Sequence, residues 1–258
     1  MDPLVSSAGP HLGEEPPLVG RRGSGTIFFS SCNLKCLFCQ NFAISQERRG
    51  ARVTRRELAD IMLQLQQIGC HNINLVTPTH VVPQIVDALS LAVDLGLRLP
   101  VVYNCGGYES VETLRLLDGV VDIYMPDIKY SDDSYAVRYS GARNYWDIAR
   151  AAVKEMYRQV GSLVGDPDGT ALRGLLVRHL VLPNGRAGSR KVLEFIAQEI
   201  SRDTYVNIMD QYHPAHRAGS IRELSRCVSS GEVFEVIEYA KSVGLYRGFA
   251  GAERLKPC

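Results

Sequence analysis

The chain reads as an α/β protein, a partial (β/α)6 TIM-type barrel of parallel strands. Three observations predict this. Short apolar runs alternate with stretches of helical periodicity about six times along the chain. The runs are continuously apolar rather than alternating, as expected when helices cover both faces of a parallel sheet. The length, 258 residues, suits an α/β barrel folded as one unit.

The elements follow in order. Residues 1–24 are rich in Gly, Pro and charge, including Gly13-Glu14-Glu15-Pro16-Pro17, and predict an irregular arm ahead of one domain over 25–258. Thr26–Phe29 is the first strand. Thr54 opens a helix with a capping box, Thr54-x-x-Glu57, in which hydroxyl and carboxylate satisfy each other's end amides. Leu58, Ile61, Met62, Leu65 and Ile68 form its apolar stripe, and Gly69 ends it. Ile73–Val76 is a strand, and Val82–Leu95 a helix stopped by Gly96. Pro100–Asn104 and Val121–Met125 are strands followed by helices over Ser110–Leu117 and Tyr145–Val160. Leu175–Leu182 is a strand and Ser189–Ile200 a helix. Tyr205–Met209 is the sixth strand, and Ser230 caps a last helix to about Val243. In such a barrel, chemistry sits at the C-terminal ends of the strands.

Composition excludes several classes. Formal net charge is +1, so no basic excess points to nucleic acid. No run of 18 apolar residues offers a membrane span. Arg21-Arg22 is followed by only three apolar residues before a cysteine cluster, which is not an export signal. These features predict a cytoplasmic protein with mostly reduced thiols.

Seven cysteines are present. Three fall within eight residues, in Ser31-Cys32-Asn33-Leu34-Lys35-Cys36-Leu37-Phe38-Cys39-Gln40-Asn41, directly after the first strand. Cys70, Cys105, Cys227 and Cys258 are scattered and lack the spacing for a second cluster. Thiolates at this density suit zinc or an iron–sulfur cluster. A structural zinc site normally needs four ligands, and the nearest further candidates, Cys70 and His71, stand a helix away. A cubane cluster that only carries electrons takes four thiolates. Three leave one iron open to a substrate.

The spacing Cys-x3-Cys-x2-Cys after a strand and before a helix resembles the signature of the radical S-adenosylmethionine (SAM) superfamily. The cysteine segment, with Thr54–Gly69, Val121–Lys129 and Val177–Pro183, looks like the pyruvate formate-lyase activating enzyme group. More narrowly, Leu12–Pro17, Gly23–Thr26, Asn74–His80 and Arg178–Pro183 are similar to that enzyme's uncharacterised homologues. The match covers nearly the whole chain.

The resemblance implies a [4Fe–4S] cluster on Cys32, Cys36 and Cys39, with SAM chelating the open iron. Reductive cleavage of SAM then gives methionine and a 5′-deoxyadenosyl radical that abstracts hydrogen from a substrate. Phe38 corresponds to an aromatic beside the adenine. Thr77 and Thr79 occupy the place of a Gly-Gly-Glu motif whose backbone receives the SAM amino group. Asp127 and Lys129 match an Asp-x-Lys pair, the Asp by a monovalent cation and the Lys by SAM. Two such residues share one face of a strand, so a plain ion pair at the rim is the alternative. Asn104 offers a second oxygen to the cation. Arg178 lies within an apolar strand and needs an anion, either the SAM carboxylate or an internal Asp or Glu. His179 faces the other way. His213 matches a SAM-flanking His.

The implied partners are SAM, a one-electron donor such as flavodoxin or ferredoxin, and a protein substrate, most simply a glycyl radical enzyme. The segment from Ser131 to Leu172, with Tyr130 just before it and Tyr135, Tyr139, Tyr145 and Trp146 within it, is a candidate docking surface. The alternatives are radical modification of a small molecule or peptide, and a non-catalytic iron–sulfur redox protein.

Overall fold

A computed structural model describes residues 2–249. Nine strands form one sheet: β1 (Leu4–His11), β2 (Ser24–Phe29), β3 (Ala51–Arg52), β4 (Ile73–Val76), β5 (Val101–Cys105), β6 (Ile123–Pro126), β7 (Val164–Gly165), β8 (Ala171–Leu180) and β9 (Tyr205–Met209). Among the described residues nine α-helices accompany them: α1 (Pro16–Val19), α2 (Phe42–Ser45), α3 (Arg55–Ile68), α4 (Val82–Asp94), α5 (Val111–Leu116), α6 (Asp133–Ser140), α7 (Tyr145–Val160), α8 (Ser189–Phe195) and α9 (Ser230–Ser242).

The six strands expected from the sequence are the parallel set, paired in the order β2-β4-β5-β6-β8-β9. The sheet does not close. β1 runs antiparallel along β2, and β3 adds to the start of β1. The partial (β/α)6 barrel is therefore the architecture of the chain.

Alternation along the strands separates two interiors. Tyr103, Tyr124, Leu175, Val177, Val206 and Ile208 face outward into the core shared with the later helices. Val102, Ile123, Met125 and Leu176 face inward and pack with Leu18 of α1. Leu18 is fully buried, and its carbonyl accepts from Asn72 Nδ2 at 2.9 Å. The segment ahead of β2 thus plugs the floor of the barrel, at the N-terminal ends of the strands.

Several local expectations hold for the reasons given. Thr54 and Glu57 form the capping box, and Gly69 closes α3 at φ +95°, a left-handed conformation suited to glycine. Others need correction. The arm over 1–24 is not irregular throughout, since Leu4–His11 is a strand. Gly9 and Pro10 masked it. They are tolerated because β3 covers only Leu4 and Val5, leaving an open edge beside Pro10. The last helix is capped by Ser229, not Ser230, through a capping box with Glu232. The helix from Ser189 widens into a π-helical stretch over Ile196–Ile200. Short β3, β7 and α6 carry too little periodicity to be read in advance. Cys258 lies outside the described residues.

Candidate active site

The cysteine loop leaves β2 through Ser31, held at φ +80°. Its backbone is fastened to distant segments. Lys35 N–H donates to Ser140 O at 2.9 Å, Leu37 N–H to Tyr139 O at 2.8 Å, and Arg217 N–H to Leu37 O at 2.9 Å. Gln46 Nε2 donates to Cys36 O at 3.0 Å. α6 and the loop after β9 therefore shape the turn carrying Cys32, Cys36 and Cys39. Cys36 is buried, while Cys32 and Cys39 are half-buried. Ser140 Oγ donates to Cys36 Sγ at 3.0 Å, and the Leu34 N–H lies 3.4 Å from Cys32 Sγ.

Burial pushes the Cys36 thiol up to about 11, against the opposing pull of Lys129, and raises Cys32 for the same first reason. Buried thiols of this kind become thiolates only beside positive charge, which an iron–sulfur cluster supplies. Among the described residues no three His, Cys, Asp or Glu side chains converge on a point that would hold a single metal ion. A cubane does not require this, because each of its thiolates sits on a different iron. Three soft donors on one fastened loop, with a hydroxyl and an amide directed at sulfur, fit a cluster.

At the C-terminal ends of β5, β6 and β8 the predicted polar residues come together. Lys129 Nζ lies 2.6 Å from Asp127 Oδ2. Arg178 Nε donates to Asp127 Oδ1 and Arg178 Nη2 to Asn104 Oδ1, each at 2.7 Å. Burial works to raise the Asp127 carboxyl, but Arg178 and Lys129 outweigh it and hold the group below its ordinary value. Burial works in turn to lower both cations, and Asp127 outweighs it to raise them. Lys129 sits close enough to Cys32 and Cys36 to favour their thiolates.

This arrangement bears on two expectations. Of the two anions offered for Arg178, the internal carboxylate is the one in contact. The remaining nitrogen of Arg178, Nη1, faces Glu14 and Glu15 at 3.7 Å each. The place proposed for a monovalent cation between Asp127 and Asn104 is filled by the guanidinium, which takes one oxygen from each.

Thr77 carries the strain expected of a functional strand end. Its φ is +58°, a left-handed value rare for a β-branched residue, and its N–H donates to Asn104 O at 2.8 Å. A Thr here holds the kind of backbone that glycine adopts freely. Thr79 is half-buried. Its hydroxyl donates to Glu109 Oε1 at 2.8 Å, and Tyr103 Oη donates to Glu109 Oε2 at 3.0 Å. His80 reaches the Ser30 carbonyl at 2.7 Å. The loop after β4 is thus braced against both the β5 loop and the start of the cysteine loop.

Phe38 is packed rather than presented. It is 6% exposed, and its ring meets Tyr130 and Tyr212 edge to face at 6.4 and 5.8 Å. His213 stays exposed at the edge, 3.3 Å from Gln40 Nε2, the residue after Cys39. His179 is buried between Ile128 O and Ser189 Oγ, on the outward face as expected.

Sequence reasoning missed Glu14 and Glu15 as site residues, although both lie in a noted motif. Only the plug places them under Arg178. It also missed Glu109, and it missed Tyr145, whose hydroxyl gathers Lys129 N–H at 2.8 Å and lies 3.0 Å from the Gly106 and Asp127 carbonyls. Gly107 passes so near that a Cβ would stand 2.5 Å from Asp127 O.

A model of the radical SAM superfamily matches residues 26–166. The chain belongs to the radical SAM superfamily. The cofactors of that family are a [4Fe–4S] cluster and SAM. The uncharacterized protein MJ0674 of Methanocaldococcus jannaschii is 33% identical over 245 residues, covering 91% of this chain. The chain spans 66% of that relative's length. Among solved structures, methylornithine synthase (PylB) superposes with a TM-score of 0.57 at 16% identity, over 84% of this chain and 61% of that one. SuiB of Streptococcus suis, solved bound to S-adenosylmethionine, gives 0.54 at 13% identity, over 82% of this chain and 45% of that one. These likenesses establish the radical SAM fold. Arg178, Glu14 and Glu15 lie outside the matched segment, so the charge cluster extends beyond the matched core.

The Glu109 brace carries a pH prediction. Burial raises Glu109 to about 7, against hydrogen bonds from Thr79 and Tyr103 that lower it. The folded state therefore binds more protons than the unfolded chain between about 4.5 and 7. The stabilisation is complete below the unfolded value and is lost as pH rises through the folded one. Glu109→Gln should flatten the fall in unfolding free energy between pH 5 and 7.5 by on the order of 3 kcal/mol. Denaturant titrations at the two pH values check this. An unchanged slope would mean that Glu109 does not titrate as a buried acid.

Proposed function

We propose that this radical SAM enzyme cleaves SAM reductively and removes a hydrogen atom from a macromolecular partner, most simply the glycine of a glycyl radical enzyme. The observation that carries this reading is the open sheet. Six parallel strands with no pairing between β2 and β9 leave a side through which a partner's loop can approach the cysteine loop. The resemblance of Cys32–Asn41 and of Asp127-Ile128-Lys129 to the activating enzymes supports the same reading.

The roles of the chain's own residues follow from the site. Cys32, Cys36 and Cys39 hold the cluster as thiolates, and Ser140 keeps Cys36 oriented by its hydrogen bond. SAM, when bound to the cluster, supplies a carbon-centred radical after accepting one electron. Lys129, 17% exposed on its side chain and paired on one side with Asp127, would meet the SAM carboxylate. Thr77, whose N–H is already taken by Asn104 O, would offer its carbonyl and hydroxyl to the SAM amino group. Arg178, Glu14 and Glu15 keep Asp127 fixed from below. SuiB, of the same fold, is solved with S-adenosylmethionine, which supports SAM binding by this fold.

The aromatic side chains of the segment offer a partner little surface. Tyr130, Tyr139 and Tyr145 are fully buried and Trp146 is 8% exposed, so these four are core. A second reading, a small polar substrate, is favoured by the charged lumen formed by Asp127, Arg178, Glu14 and Glu15.

The test is anaerobic. Reconstituted, reduced enzyme and SAM are mixed with glycyl radical enzymes of the same organism, and a glycine-centred radical is sought by paramagnetic resonance. Its appearance supports activation. SAM cleavage without any such radical would remove the glycyl substrate and favour the second reading.

A further inference from the structure

The charge of this protein is unevenly placed. The whole chain has a net charge of +1. Yet the cysteine loop is bordered by Lys35, Arg48, Arg217 and Arg222, all exposed. Among the described residues none of these four is ion-paired to a carboxylate, whereas nearby Arg49 and Arg226 are, to Glu47 and Glu232.

The four belong to one surface. Arg217 N–H is bonded to Leu37 O, within the loop itself. Phe42 of α2 stacks on His216 at 4.7 Å, which brings the turn carrying Arg48 beside the loop carrying Arg217 and Arg222. Lys35 and Arg48 both lie close enough to His80 to oppose its protonation. The patch therefore surrounds the two cysteines that are not fully buried, Cys32 and Cys39.

An electron must enter at this place. Among the described residues, Cys70 and Cys105 lie buried in separate apolar clusters, away from this edge. Unpaired cations around a redox centre's exposed edge attract and orient an acidic partner while costing nothing in internal pairing.

We propose that Lys35, Arg48, Arg217 and Arg222 form the docking surface for a small acidic one-electron carrier protein. The proposal rests on the radical SAM reading and extends it to the source of the electron. One electron leaves the reduced carrier and enters the cluster at Cys32, Cys36 and Cys39. The carrier departs oxidised by one electron, and no proton or atom is transferred.

The test uses full-length, reconstituted enzyme and two reductants, reduced flavodoxin and dithionite, with 5′-deoxyadenosine as readout. Arg48→Glu, Arg217→Glu and Arg222→Glu are combined in one variant. The KM for flavodoxin should rise about tenfold or more, and its steep increase with salt in the wild type should flatten. Iron content, SAM binding by calorimetry and the dithionite-driven rate should stay within about twofold of wild type. An unchanged KM for flavodoxin overturns the proposal. So does a parallel loss with both reductants, which would place the arginines in the site itself. Loss of RNA retention with an unchanged KM for flavodoxin would assign the patch to nucleic acid and also overturn it. If wild type fails to cleave SAM even with dithionite, the catalytic reading fails, which is a separate outcome.

Discussion

Cys36→Ala is expected to lose its cluster and all SAM cleavage. Iron should fall from about four atoms per chain to less than one, because a cubane left with two thiolates has two open irons and is not retained. Cys32→Ala and Cys39→Ala should behave alike, although they differ in burial. Cys36 is buried with Ser140 donating to its sulfur, while Cys39 meets Ser45 at 3.2 Å in a half-buried position. The loop itself should survive, because its hydrogen bonds to Ser140, Tyr139 and Arg217 use backbone groups. Cys70→Ala is the control. Cys70 packs under α3 with Leu65 and Ile73, so its loss costs packing and leaves iron in place. Iron analysis and the paramagnetic signal of the reduced protein, with and without SAM, read the result. Full iron retention in Cys36→Ala would sink the ligand assignment.

Removing Asp127 should produce the second large effect. Asp127 is the only carboxylate among the described residues that touches both Lys129 and Arg178 at hydrogen-bond distance. Asp127→Ala leaves two largely buried cations facing one another across the vacated space. Breaking a buried pair in this way costs about 3–5 kcal/mol. Part of that is recovered by Glu14 and Glu15, which already stand 3.7 Å from Arg178. Lys129→Ala is milder for the fold, since Asp127 keeps its bond to Arg178. Its effect falls on the cofactor: loss of one charge-assisted contact should weaken SAM binding by roughly 10–100-fold while iron is kept. Denaturation of Asp127→Ala and SAM titration of Lys129→Ala check the two halves separately. If both variants bind and cleave SAM as wild type does, the pair is a rim ion pair and nothing more.

Much of the site was legible because its signals are local. Three cysteines within eight residues, directly after an apolar strand, need no tertiary information to be noticed. Asp127 and Lys129 share a strand face by period alone. The partners of Arg178 were not legible. The reading offered SAM or an internal carboxylate, and the choice depended on contacts 51 and 74 residues away in sequence. The partner of Thr79 was not legible either: the resemblance set it in the place of a motif that receives SAM, and a buried Glu109, 30 residues on, takes its hydroxyl. The aromatic stretch after β6 looked like a surface only because composition does not say which way a tyrosine points. Tyr145 instead holds three backbone groups together beneath the site.

The sequence by itself determined the class of the protein. Continuous apolar strands alternating with capped amphipathic helices dictate a parallel barrel, since strands covered on both faces and joined by helices have few other ways to pack. The same linear record places three thiolates at the C-terminal end of the first parallel strand. Tertiary structure alone decided how the charges beneath them are balanced. The N-terminal segment runs along the sheet edge as β1, then turns under the barrel with α1, seats Leu18 in the floor, and brings Glu14 and Glu15 to Arg178. No local pattern encodes this. A buried charge takes whichever counter-charge the fold delivers, and the fold delivers it from about 160 residues away in the chain, a distance over which only packing of the whole barrel decides who meets whom.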